Sequence, residues 1–290
     1  MVITSLQNPR IKAIRALSQR KRRQETGLFF AEGIRLVGEA VQTGADVETL
    51  VVALDLLRSD FGRDTVRRAR EEGVEILEVG AEVFRTLSGK DGPAGIGVVA
   101  RQRWTALDDA GVRLGGSDAS TDEAGADGAS PDNATAADTL GWVVLEDVGN
   151  PGNLGSILRT SEAVGGAGVI LLGDTVDPYD PASVRGSMGA VFSQQIVRSS
   201  LESLIQWKRQ VNIPMIGTSD ATPADFRSAT YAPPLLLCLG GEQHGLSNEV
   251  MDACDTVVRI PMAGRADSLN LAVAAGVMLY EVLYRVRDIR

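Results

Sequence analysis

From Gly141 onward, short apolar runs alternate with segments whose apolar positions recur every three or four residues. WVVLEDV, GVILLG, QQIV, PMIGTSD, LLLCLGG and VVRIPM are of the first kind; NLGSILRTSEAV, ASVRGSMGAVF, LESLIQWKRQV and LNLAVAAGVMLY are of the second. A strand that is apolar throughout is covered on both faces, so the alternation predicts an α/β fold with a parallel sheet between helices. The crossover rules favour an ordinary doubly wound sheet without a knot.

The first hundred residues predict a smaller α/β domain. Ile11, Ile14 and Leu17 recur at helical spacing after Pro9, and FFAEGIRLVGEAVQTG reads as a strand running into a helix. TLVVALDLL, VEILEVG and GIGVVARQRW supply further strands, with charged helical stretches such as TVRRAREEG between them. Between the two patterned regions, GGSDASTDEAGADGASPDNATAAD has almost no large apolar residue and cannot offset its ordering entropy by burial. The expected organisation is therefore a domain at 1–103, a disordered acidic linker at 104–140 and a larger domain at 141–290.

Charge changes this picture only once its distribution is considered. The net charge is −9 over 290 residues, but Thr105–Gly141 alone holds eight acidic side chains against one arginine. Met1–Gln24 holds seven basic side chains, Arg10, Lys12, Arg15, Arg20, Lys21, Arg22 and Arg23, and no acidic one. Such a run is either a solvated face or a phosphate-contacting one. No apolar run reaches the roughly 20 residues that span a bilayer. The amino terminus has no apolar h-region, so no secretory signal is expected. Two cysteines, Cys238 and Cys254, argue against a disulfide framework and for a reducing cytoplasm. No His/Cys or carboxylate cluster has metal spacing, and no G-x-G-x-x-G follows a strand.

The densest candidate chemistry lies in Leu235–Tyr280. Gly240 and Gly241 follow a strand, so the chain turns sharply there and a ligand meets no Cβ. Loops at the carboxyl ends of such strands are where open α/β sheets carry their sites. Ser247 reads as the cap of helix NEVMDAC, and Asp267 or Ser268 as the start of the last helix. On that reading Asn270 has no capping role and is set aside for a ligand.

LGGEQHGLS, then RIPMAGRADSLNLAVAAGVMLYE, and upstream WVVLEDVGNPGNLGSILRTSEAVGG with Asn153 six residues before Arg159, resemble the three ordered motifs of the SpoU (TrmH-type) RNA 2′-O-ribose methyltransferases of the SPOUT superfamily. The resemblance implies a carboxyl-terminal parallel-sheet domain with a trefoil knot, S-adenosyl-L-methionine as methyl donor, no metal, and a homodimer. SLQNPRIKAIRAL and GLFFAEGIRLV resemble, more loosely, the L30e-like substrate-binding domain of the same family. That arrangement suits the ribosomal-RNA branch, so 23S ribosomal RNA is the expected target ahead of tRNA.

By the same resemblance, Asn153, Arg159, Glu242, Ser268 and Asn270 form the catalytic set. Arg159 engages the ribose and phosphate of the target, where its residue type alone also allows an ordinary solvated arginine; Asn153 alone would be an N-cap. Thr218, Ser219, Leu239, Gly240, Gly241, Ile260, Met262 and Leu269 hold the cofactor, and Arg10, Lys12, Arg20, Lys21, Arg22, Arg23 and Arg35 hold RNA. Two rivals remain open. One is a non-catalytic RNA-binding ribosome-assembly factor; the other is a hydrolase using Ser268, His244 and Asp267, which lacks a nucleophile-elbow sequence.

Overall fold

The computed structural model describes residues 2–89, 92–112 and 139–286. The chain divides into two compact units. The first comprises Met1–Arg103, Pro151–Arg159 and Val176–Ser193; the second comprises Trp104–Asn150, Thr160–Thr175 and Gln194–Arg290. Residues 113–138 of the expected disordered linker lie outside the described residues.

The elements run α1 (Pro9–Ala16), α2 (Arg20–Thr26), β1 (Leu28–Glu32), α3 (Ile34–Gln42), β2 (Val47–Val52), α4 (Asp60–Glu71), β3 (Glu75–Glu78), α5 (Ala81–Leu87), β4 (Ile96–Arg101) and α6 (Leu107–Val112). There follow β5 (Gly141–Glu146), α7 (Pro151–Ala163), β6 (Gly168–Leu172), α8 (Pro181–Ser187), α9 (Ala190–Ser193), β7 (Gln195–Arg198) and α10 (Leu201–Val211). The chain continues with β8 (Met215–Thr218), β9 (Leu235–Gly240), α11 (Asn248–Ala253), β10 (Thr256–Val258) and α12 (Leu271–Val286).

In the first unit, four strands pair in the order β1-β4-β2-β3, with β4 antiparallel to both neighbours and β2 parallel to β3. Asn8 starts α1 by accepting the Arg10 N–H at 2.9 Å, and Pro9 suits the first helical position because its missing N–H costs nothing there. The helix thus turns Ile11 and Ile14 inward, and with Leu17 they join Val51, Val79 and Phe84 in one core. The segment around α8 and α9 belongs to this unit. Phe29 of β1 has its ring centroid 4.8 Å from that of Tyr179 and 5.6 Å from that of Phe192. The Tyr179 hydroxyl donates to the Arg103 carbonyl at 2.6 Å and accepts its N–H at 2.8 Å.

The second unit is built on six strands in the order β10-β8-β9-β5-β6-β7, every pair parallel. β5, β6 and β9 are buried almost throughout, the burial their uninterrupted apolar sequences predict. Trp142, Val144, Ile170, Leu204, Trp207 and Met215 form the core on one face. α6 falls inside the segment that composition assigns to the linker. Thr105 bridges to Val197, Ala110 is fully buried in this core, and the Arg198 guanidinium stands 4.4 Å over the Trp104 ring.

Candidate functional site

The carboxyl ends of β8, β9 and β10 and the start of α12 surround a cavity of about 630 Å3 in the second unit. β8 contributes Thr218 and, just beyond its end, Ser219; β9 contributes Leu239 and Gly240, with Gly241 following it. Ile260 and Met262 follow β10, and Leu269 precedes α12. All eight residues expected to hold a cofactor therefore line one space, and Glu242, Ser268 and Asn270 line it as well. Asp220, Gln243 and Arg259 also line it and were not anticipated. Arg259 lies inside the run VVRIPM, which reads as strand throughout, whereas β10 ends at Val258 and leaves Arg259 directly after it.

The loop leaving β9 is folded back on itself, which is why it needs two glycines. A Cβ on Gly240 would stand 1.8 Å from the Gly245 carbonyl carbon, and one on Gly241 would stand 2.4 Å from the Asp147 carbonyl oxygen. At the far end of the loop, Glu146 accepts the Ser247 N–H at 2.8 Å and its hydroxyl at 2.7 Å. Ser247 in turn caps α11 by accepting the Val250 N–H at 3.2 Å, as its sequence position predicts. Glu242 accepts the Gly149 N–H at 3.1 Å, so its carboxylate joins the loops after β5 and β9. The Thr218 hydroxyl donates to the Cys238 carbonyl at 3.0 Å.

The start of α12 corrects the sequence reading. Neither Asp267 nor Ser268 begins the helix; Leu271 is its first residue, and Asn270 is the cap. Its side-chain oxygen accepts the Ala272 N–H at 2.9 Å and the Val273 N–H at 3.4 Å. Asn270 therefore both ends the cavity wall and satisfies orphan helix donors.

Asn153 and Arg159 stand on the part of α7 grouped with the first unit. The helix begins at Pro151, so Asn153 is inside its first turn and is not its cap, and it is buried. Leu154, Ile157, Leu158, Ser161 and Val164 form the buried stripe, and Arg159 is exposed. Among the described residues Arg159 makes no ion pair.

Comparison with known proteins decides the family. A family model described as the SpoU rRNA Methylase family matches residues 142–280. The chain is 33% identical to the 23S rRNA (uridine(2479)-2′-O)-methyltransferase of Streptomyces viridochromogenes, with 92% of this chain and 86% of that protein covered. The chain belongs to the SpoU family. It is 25% identical to the 23S rRNA (guanosine(2553)-2′-O)-methyltransferase of Bacillus subtilis, covering 97% of this chain and 98% of that one. Among solved structures it resembles an AdoMet-bound rRNA methyltransferase from Sinorhizobium meliloti, with TM-score 0.82, 35% identity, and coverage of 99% and 98%.

In this SpoU-family chain, residues 8–97 also match a model described as an MRM3-like substrate binding domain. The basic run in that region differs from expectation. Arg10 pairs with Glu75, Lys21 and Arg22 reach Glu25, and Arg15 donates to the Thr86 hydroxyl at 2.7 Å. Counter-charges thus come from later in the chain. Lys12, Arg20 and Arg35 are exposed. Arg23 does not belong with them. It is 1% exposed, donates to Asp177 at 2.8 Å and to the Leu17 and Ser18 carbonyls at 2.9 Å each, and has no surface to offer RNA. Among the described residues no cluster of His, Cys, Asp and Glu could hold a metal, and no helix is long and apolar enough to cross a membrane.

Proposed function

We propose that this chain transfers a methyl group from S-adenosyl-L-methionine to a ribose 2′-hydroxyl of RNA, with 23S ribosomal RNA as the target. The carrying observation is that the residues assigned to the cofactor by resemblance, far apart in sequence, line one cavity of about 630 Å3. That volume is ordinary for a small-molecule site, about 300–1,000 Å3. Its walls combine apolar Leu239, Ile260, Met262 and Leu269 with a glycine turn whose backbone has no Cβ in the way. Such a slot suits an adenine ring held by backbone donors and acceptors. When bound, the sulfonium supplies an activated methyl group.

The chain's own residues then have distinct work. Gly240, Gly241 and Leu269 hold the nucleoside part, with Thr218, Ser219, Ile260 and Met262 closing the slot. Glu242, Ser268 and Asn270 orient the ribose and the methionine end. Arg159 holds the target phosphate and ribose, and Asn153 keeps its helix turn in position. The role assigned to Arg159 is positioning, because its planar fork of donors matches the oxygens of a phosphate in two-pronged geometry. Arg10, Lys12, Arg20, Lys21, Arg22 and Arg35 form the RNA-holding face of the amino-terminal domain.

The same reading includes a trefoil knot in the carboxyl-terminal domain, action in the cytoplasm, and a homodimer. An exposed stripe on α12 supports the dimer: Val273, Val277, Tyr280 and Tyr284 are 52%, 36%, 42% and 57% exposed at helical spacing. An apolar stripe of this kind is covered economically by the same stripe of a second copy.

The test is transfer from labelled S-adenosylmethionine to unmodified 23S ribosomal RNA, to unmodified tRNA and to ribosomal subunits, with mapping of the methylated ribose. One site in 23S ribosomal RNA is the expected product. Tight cofactor binding without transfer to any of the three substrates would overturn the proposal.

A further inference from the structure

The buried Arg23 is the most unusual charge in the first unit, and its contacts lead towards α7. Its guanidinium donates to Asp177 at 2.8 Å and reaches Asp180 at 3.5 Å. Asp177 is itself buried and accepts the Tyr179 N–H at 2.9 Å, which fixes the turn that brings Tyr179 against Phe29. Asp180 is the cap of α8 and accepts the Ala182 N–H at 2.8 Å. One side chain of the amino-terminal domain therefore holds both carboxylates that set where α8 begins.

α8 in turn is packed on α7 with almost no tolerance. The Ser183 hydroxyl donates to the Pro151 carbonyl at 2.8 Å. A Cβ on Gly155 would lie 2.3 Å from the Ser183 carbonyl oxygen, and one on Gly186 would lie 3.3 Å from the Gly152 carbonyl oxygen. The two helices touch backbone to backbone through glycines, so a shift of α8 has no flexible side chain to absorb it. Asn153 and Arg159 are on this same stretch of α7.

We infer that Arg23 is a positioning residue: through Asp177, Asp180 and α8 it fixes α7, and so the placement of Asn153 and Arg159, from within the amino-terminal domain. This rests on the methyltransferase reading for its consequence in turnover, but not for its structural content. Arg23 is suited to the task because a guanidinium satisfies two carboxylates and two carbonyls at once, which an ammonium cannot match in geometry. The domain that would hold RNA and the helix that would act on it are thereby tied together in one unit.

The experiment compares the full-length wild type with Arg23→Lys and Arg23→Met, measuring amide exchange over 151–159 and 181–187, cofactor affinity, and single-turnover methyl transfer at saturating RNA, each per folded molecule. Arg23→Met is expected to speed exchange in both helices and to slow transfer about ten- to a hundredfold, the scale of a small misplacement of a reacting group. Cofactor affinity should stay within about twofold, since that cavity is built on the other sheet. Arg23→Lys keeps the charge beside Asp177, so it is the variant that folds most safely; it should fall between the two in exchange and in transfer. Unchanged exchange at 151–159 in Arg23→Lys and in whatever Arg23→Met folds would overturn the inference, as would full transfer with loosened helices. A wild type that never transfers methyl would count against the proposed function alone, and the exchange measurement would still decide the coupling.

Discussion

Glu146, the last residue of β5, holds Ser247 at both its N–H and its hydroxyl, at 2.8 and 2.7 Å. The strand pairing sets Glu146 opposite Gly240, so this carboxylate lies beside the start of the cavity loop and grips its end. Hydrogen bonds to a charged acceptor contribute about 1.5–3 kcal/mol. Glu146→Ala should destabilise the domain by about 2 kcal/mol and raise the dissociation constant for S-adenosylmethionine. Calorimetric titration checks it; unchanged affinity would mean that the loop keeps its shape without Ser247 being held.

Gly240 gives a harder test of the same wall. A methyl group there would overlap the Gly245 backbone, with its carbonyl oxygen at 2.0 Å, and neither partner is a flexible side chain. Overpacking of this kind costs about 1–3 kcal/mol. Gly240→Ala should therefore melt lower and lose most cofactor binding, while Gly264→Ala, which meets nothing within 4 Å, should do neither.

Asn270 caps α12 and also lines the cavity, and substitution can separate the consequences of the two. Removing the cap with Asn270→Ala should cost about 1 kcal/mol. Asp is an equally good cap, so Asn270→Asp should retain stability and yet change transfer, because it adds a negative charge to the cavity wall. Melting curves and single-turnover rates read the two effects independently. If Asn270→Asp keeps both stability and rate, capping is its whole function.

Asp255 predicts part of the acid limb of stability. Burial raises its carboxyl, but the Lys208 ammonium at 2.8 Å and the Met215 N–H at 2.7 Å outweigh that and hold it below its usual value. A carboxyl depressed in the folded state contributes stability that is complete above its unfolded value, about 3.9, and is lost as pH falls through the folded one. Since Asp255 is about half exposed, screening makes the contribution small. Asp255→Asn should flatten the pH dependence below about pH 4 and leave stability at pH 7 only slightly lower. Parallel acid limbs in the two proteins would count against it.

The parallel sheet was legible because β5, β6 and β9 are apolar at nearly every position, a pattern only a doubly covered strand requires. Much of the cavity was legible because Leu239, Gly240, Gly241, Ile260, Met262 and Leu269 sit in ordered motifs, while Thr218 and Ser219 followed only from the family resemblance. The start of α12 was not, because Asp267, Ser268 and Asn270 are all good caps by residue type, and only the backbone turn selects among them. Arg23 was hidden by its neighbours: the run QRKRR has no local mark for the one side chain that turns inward. Its partner Asp177 is 154 residues away. Nor does any local signal say that α8 and α9 join the first unit and not the sheet that precedes them.

Arg159 carries the sharpest prediction. It is exposed, on the side of α7 opposite the buried stripe, and among the described residues no carboxylate neutralises it, so its removal should cost the fold little. If it holds the target phosphate and ribose, Arg159→Ala should keep wild-type melting and cofactor affinity but lose about a hundredfold or more in transfer, as when one preorganised donor is removed from a reacting centre. Arg159→Lys keeps a point charge without the two-pronged geometry, so it should recover part of the RNA affinity and little of the rate. Measured kcat and KM for RNA separate these effects. A variant with unchanged kcat and only a weaker KM would make Arg159 a general RNA contact, and unchanged values of both would remove it from the mechanism.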